Sequence, residues 1–211
     1  MTTPGEIARG TLHGGAVRVV VALTTPAARE AARRHDARGA AALALARGTT
    51  AGLLLSTLTK DEERVTLQIL GDGPFGALTV DASSSGHVRA YLKNPKITLP
   101  PEVRERSAAE PARLSLAAGV GESGIVNVVR DLGLRETFSG QTEITSGEID
   151  EDVEHYLTAS EQIDSALACD AVLEPDEQDG DGDVVVIAGG ILVQALPGSE
   201  GAELEIGRAH V

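Results

Sequence analysis

QILGDGPFGALTV, residues 68–80, decides the fold, because it spells G-x-G-x-x-G at Gly71, Gly73 and Gly76. A dinucleotide fingerprint needs a strand before its glycines and a helix after them, whose first amides meet the pyrophosphate. Here an apolar run leads in, Pro74 sits inside the motif, and ALTVDA (77–82) alternates like a second strand. The segment therefore reads as a hairpin, with Gly71 and Gly73 supplying the backbone freedom of a tight Asp-Gly turn. A small nucleotide-binding enzyme using the Gly71–Gly76 turn is the alternative reading of function.

The neighbouring chain supports the hairpin. RVTLQIL (64–70), GALTVDA (76–82) and HVRAYLK (87–93) are strand-like runs separated only by short turns, which implies an antiparallel meander. Upstream, the β-branched run GAVRVVVALTT (15–25) reads as a strand, and Pro26 starts a helix with Thr24 or Thr25 as its cap. Residues 37–58 form a long Ala/Leu helix, apolar almost all round and so buried. Gly39, Gly48 and Gly52 weaken that helix unless something packs closely on them. Downstream, the proline-rich stretch 94–111 is irregular, and RLSLAAG (113–119), GIVNVVRDLG (124–133) and QTEITSG (141–147) are further strand candidates. Thr145-x-x-Glu148 has capping-box spacing and opens a helix whose apolar face is Ile149, Val153, Tyr156 and Leu157. SALACDAVL and VVVIAGGILVQAL are the last strands, joined by the acidic loop 174–183. The expected fold is a mixed α/β (α+β) single domain, a largely antiparallel central sheet packed with helices.

Composition narrows the function. With two Phe, two Tyr and no Trp, the core must be built from Ala, Val, Leu and Ile. The net charge of −14 divides into +4 over residues 1–135 and −18 over residues 136–211. Such an acidic half repels phosphate backbones, so no nucleic-acid partner is expected. No signal peptide is visible, and runs such as VVVIA (184–188) are too short to span a bilayer, so a cytoplasmic protein with no membrane partner is expected.

The reactive residues form no recognisable site. His13, His35, His87, His155 and His210 lack metal-ligand spacing, and no G-x-S-x-G elbow exists. Asp179, Asp181 and Asp183 have the spacing that opens a calcium loop, but Val184 and Gly190 stand where that loop needs Gly and Glu. Cys169 is the only cysteine and lies in an apolar run, as a small core residue does. The expectation is no enzyme, with no catalytic, cofactor-binding or metal-binding residue.

Residues 22–95 (ALTTPAAREAARRHD through LQILGDGPFGALTV to YLKNP), the segment SGEIDEDVEHYLTASEQ (146–162) and AGGILVQALPG (188–198) together resemble the N-terminal domain of the heat-shock protein 33 family of redox-regulated bacterial chaperones. The resemblance runs over about residues 15–198 in the family's own motif order. It implies an ATP-independent holdase that binds unfolded or misfolding client proteins and is switched on by oxidative stress. Whether it pairs as a homodimer stays open. The family's switch is a C-terminal zinc domain whose ligands are C-x-C and a later C-x-x-C; neither motif occurs here, so no zinc role passes to any residue of this chain. A sheet face normally covered by that missing region is the expected client surface. Accordingly residues 1–198 are read as the core domain and 199–205 as the start of a linker. Residues 206–211 read as a translated sequencing adapter, because EIGRAHV can be encoded by the start of a widely used one.

Overall fold

The computed structural model describes residues 5–60, 63–99, 103–104, 113–133, 137–175 and 182–196. The linker and adapter assignments at 199–211, His210, and Asp179 and Asp181 of the acidic loop lie outside the described residues. Strands β1 (Glu6–Leu12) and β2 (Val17–Leu23) form an antiparallel hairpin, followed by helices α1 (Thr25–His35) and α2 (Gly39–Ser56). The expected meander follows as β3 (Arg64–Gly71), β4 (Ala77–Ser83) and β5 (Val88–Leu92). Next come the two-residue strands β6 (Val103–Arg104) and β7 (Arg113–Leu114), and a single turn, α3 (Ala117–Val120). Strands β8 (Gly124–Asp131) and β9 (Phe138–Glu143), helix α4 (Ile149–Ala159), and strands β10 (Ser165–Pro175) and β11 (Asp183–Ala195) complete the chain.

The mixed α+β class is as expected, but apart from the short β6–β7 pair the described strands divide into two antiparallel sheets rather than one. Their orders are β1-β2-β11-β10 and β5-β4-β3-β8-β9. Helix α2 lies between them. Its Gly48 and Gly52 sit against Leu78 and Val80 of the five-stranded sheet, so close that an added Cβ would come within 2.6 and 2.5 Å of those side chains. On the other side Thr50 meets Gly190 of β11 and shares a 2.6 Å hydroxyl bond with Thr24. Sandwiched in this way, every residue from Ala41 to Ser56 is buried. By length and composition alone this helix is apolar enough to cross a membrane, but 89% of it is buried inside the fold, and that burial accounts for its composition.

Several local readings need correction. Strand β1 was not legible as a strand; all seven of its residues are exposed, so it has no apolar alternation to show. RLSLAAG is a strand only at Arg113–Leu114, because the Ser115 hydroxyl accepts the Ala117 N–H and turns the chain into α3. Thr24 holds the N-cap position of α1 as expected, but neither threonine caps it through its side chain: their hydroxyls bond Thr50 and the Ala188 carbonyl instead. The capping box at Thr145 is also replaced. Asp152 reaches back and accepts the N–H groups of Thr145, Ser146 and Gly147, while Glu148 turns into the core.

The opening glycines form the expected hairpin turn between β3 and β4, and the chain runs on into a strand with no helix N-terminus for a pyrophosphate. Their role differs from the one expected, however. Gly71 and Gly73 do not have positive φ; only Gly76 does, at 74°. Close approach is what demands glycine: the turn packs backbone to backbone on residues 119–121. A Cβ at Gly71 would lie 1.9 Å from the Val120 carbonyl oxygen, and one at Gly73 would lie 2.5 Å from that of Gly119. The Gly73 and Phe75 N–H groups donate to those two carbonyls.

Candidate functional site

Strands β2 and β11 are apolar on both faces, VRVVVAL and DVVVIAGGILVQA. Such runs suit a sheet covered on both sides. Helices α1 and α2 cover one side, where Val20, Ala22, Ala188 and Leu192 are buried. The other side carries the remaining apolar set. Cross-strand register aligns Ala8, Val21, Ile191 and Ala168 in one row, and Gly10, Val19, Val193 and Ala166 in the next. Ile187 and Val172 pair beyond them. Val21, Ile187 and Val172 are 47%, 48% and 51% exposed. Those two rows contain no charged side chain, whereas the row between them and the Ile187–Val172 pair, Glu6, Leu23, Gly189 and Asp170, carries two exposed carboxylates; the two uncharged rows form an apolar patch of the kind that marks an interaction surface.

A β-bulge shapes one end of this face. The register shift between Val172 and Leu173 leaves Val186 unpaired on β11. Arg29 of α1 donates to the Val185 and Val186 carbonyls at 2.8 and 2.6 Å, satisfying the displaced backbone. The edge at β10 is closed by carboxylates: Leu167, Cys169 and Ala171 donate their N–H groups to Glu154, Asp150 and Asp170. Blocking an edge strand in this way suppresses unwanted strand pairing.

Behind β10 lies an ionic network that nothing in the residue patterns announced. Arg47 of α2 is fully buried and donates to Glu148 at 2.9 Å, to Asp170 at 2.9 and 3.1 Å, and to the Leu114 carbonyl at 2.9 Å. Arg113 makes a bidentate pair with Asp150, both bonds 2.7 Å. Glu148 also accepts the Ser115 hydroxyl and the Leu116 N–H. Burial pushes the Asp150 carboxyl up, but the Arg113 hydrogen bonds and charge, with Arg47 behind them, outweigh it and hold the group below the usual range. The network ties the core helix, α4, β7 and β10 together and so fixes the edge of the apolar face. Its one signal in the sequence is an arginine at the centre of an otherwise apolar helix.

Among the described residues the other candidates stand apart from one another. His13 lies in the β1–β2 turn, His35 ends α1, His87 precedes β5 and His155 is exposed on α4. Among the described residues no group of three His, Cys, Asp or Glu side chains is placed to hold a metal ion. Asp183 starts β11. Cys169 is a core residue of β10, 1% exposed; burial, with Asp150 nearby, pushes its thiol well above the ordinary value. Alkylation at pH 8 is therefore expected to be slow in the native protein and to become fast once urea unfolds it. Equal rates in both states, read by mass spectrometry, would show the thiol to be accessible.

Comparison with known proteins gives a consistent result. The family model described as Hsp33 protein matches residues 5–210. The 33 kDa chaperonin of Listeria monocytogenes is 40% identical over 187 residues, which are 89% of this chain and 60% of that protein. That of Gloeobacter violaceus is 41% identical over 201 residues, 95% and 61% of the two chains. The crystal structure of the 33 kDa chaperonin from Thermotoga maritima superimposes with a TM-score of 0.77 at 34% identity, covering 90% of this chain and 60% of that one. This chain thus spans about 60% of the length of these relatives.

Proposed function

The chain belongs to the Hsp33 protein family, and on that premise we propose that it acts in the cytoplasm as an ATP-independent holdase for unfolded proteins. The observation that carries this reading is the apolar outer face of the four-stranded sheet, centred on Val21, Ile191, Val19 and Val193, with Ile187 exposed beyond one acidic row. Client segments would be held there by burial of their own apolar side chains. Area removed from water is worth roughly 25 cal/mol per Å² and needs no sequence match, which suits a binder of many clients. No nucleotide is required by this mechanism and no catalytic residue is assigned.

The family's zinc finds no fitting residues here. Its ligands would be four thiolates, whereas this chain has one cysteine, buried and raised in pKa. No step is routed through zinc, and no residue of this chain is given a redox role.

The test is light scattering of a heat-unfolded client mixed with this chain, without oxidant. The chain is expected to suppress aggregation. Val21→Asp combined with Ile187→Asp is expected to abolish most of that protection, since charges would interrupt the exposed rows. Circular dichroism and melting report whether the variant keeps the fold. Equal protection by chain and variant, both folded, would exclude this face. Protection no better than that of an inert acidic protein would exclude the holdase reading itself.

A further inference from the structure

Away from this face, α1 stands beside the β5 edge of the five-stranded sheet. There a groove of about 1190 Å³ runs between α1 and β5. Helix α1 lines it with Glu30, Arg34 and His35 and with Ala27 and Ala31, one turn apart, and at the two alanines larger side chains would fill the space. Ala82, Val88 and Ala90 contribute further apolar lining. At its floor the Thr49 hydroxyl is buried and has no hydrogen-bond partner, in a residue 1% exposed.

Strand β5 ends the sheet, so half its backbone groups have no neighbouring strand. Lys93 N–H donates to Ala77 and the His87 carbonyl accepts from Ser83, which sets residues 87, 89, 91 and 93 toward β4. Val88 and Ala90 therefore direct their backbone groups into the groove. His35 donates from Nε2 to the Ala90 carbonyl at 3.0 Å, and its ring stands edge-on to Tyr91. The Val88 carbonyl and the Ala90 N–H are left without partners among the described residues. Unlike the carboxylate-closed edge at β10, this edge is open, and a buried or half-buried unpaired backbone group is costly to leave so.

We propose that the groove is a docking site for an extended polypeptide segment, small and apolar along its length and acidic at one end, which adds to β5 as a further strand. Strand addition takes its affinity from main-chain hydrogen bonds and its selectivity from alternate side chains. Here the alternate side chains would face Ala27 and Ala31, which admit small apolar groups, with the Thr49 hydroxyl as the polar contact beneath. Charge sets the direction. On the rim Arg34 is paired with Glu30 at 2.7 Å and Arg89 with Asp81 at 3.1 Å, whereas Arg64 has no ion pair among the described residues. An acidic flank belongs at Arg64.

The probe is a fluorescein-labelled peptide of alternating alanine and valine with two glutamates at one end, read by anisotropy and by the amide shifts of Val88 and Ala90. Saturable binding is expected, weakened at least tenfold when alternate peptide nitrogens are methylated, because a methylated edge cannot join a ladder. Ala27→Trp, which fills the groove, is expected to weaken binding similarly. Arg64→Glu is expected to weaken it for the glutamate-flanked peptide and to strengthen it for a lysine-flanked one. The Val21→Asp, Ile187→Asp variant is expected to bind as the parent does, which separates this site from the sheet face. Absence of binding, indifference to N-methylation, or loss of binding in the sheet-face variant while Ala27→Trp binds normally would each overturn the proposal.

Discussion

Arg47→Met is expected to destabilise the protein by about 3–5 kcal/mol, the usual cost of leaving a buried charge without its partner. Methionine keeps the apolar stem of the side chain, so the loss reports the guanidinium and not a cavity. Removing it leaves Glu148, fully buried, with only the longer 3.4 Å contact to Arg113 as an ion pair. It also orphans the Leu114 carbonyl. Asp170 loses less, because its side chain is 54% exposed and water can replace the arginine. Urea unfolding measures the change, with the m-value checking that the compact state is otherwise the same. A total stability of roughly 5–15 kcal/mol makes such a loss a large fraction of the whole. Adding Glu148→Met should recover part of it, because the stranded charge is then gone as well. A loss under about 1 kcal/mol for the single variant would mean that the network is solvated and does not anchor β10.

Gly71→Ala is expected to be as damaging, about 3 kcal/mol or more, at the high end for an overpacked site. The added methyl would meet the Val120 carbonyl oxygen at 1.9 Å, and a backbone atom cannot swing aside as a side-chain end can. Relief requires the 71–75 turn to part from residues 119–121, breaking the Gly73 and Phe75 hydrogen bonds to that segment. Phe75 would be displaced too, since its ring already lies where a Cβ on Gly119 would be. Gly10→Ala, in an exposed strand with open space around it, is the control and should change stability by less than about 1 kcal/mol. The same melting measurement on both variants decides. Equal, small effects would show that the two turns are not locked together.

These two sites show how unevenly the sequence reveals the fold. The meander β3–β4–β5 was legible because alternation and short turns are local properties, and the same holds for α2, whose all-round apolarity implied burial. The glycines of the 68–80 hairpin were legible as a turn, but their reason was not, because it depends on residues about fifty positions away. The apolar outer face had a visible signal, strands apolar on both sides, yet which residues share that face needed the register of four strands. The groove beside β5 had none: Ala27 and Ala31 look like ordinary helix residues until the sheet edge stands opposite them.

The family, the mixed α and β elements and an aliphatic core were legible in the sequence. Those follow from residue identity and spacing along the chain. Contacts between distant segments set two main sheets around one helix, made Arg47 the buried centre of an ionic network, and left one sheet face and the β5 edge open. Each of these is a meeting of segments far apart in the chain, governed by close packing and by the need to pair buried charges and backbone groups, and no local pattern encodes it.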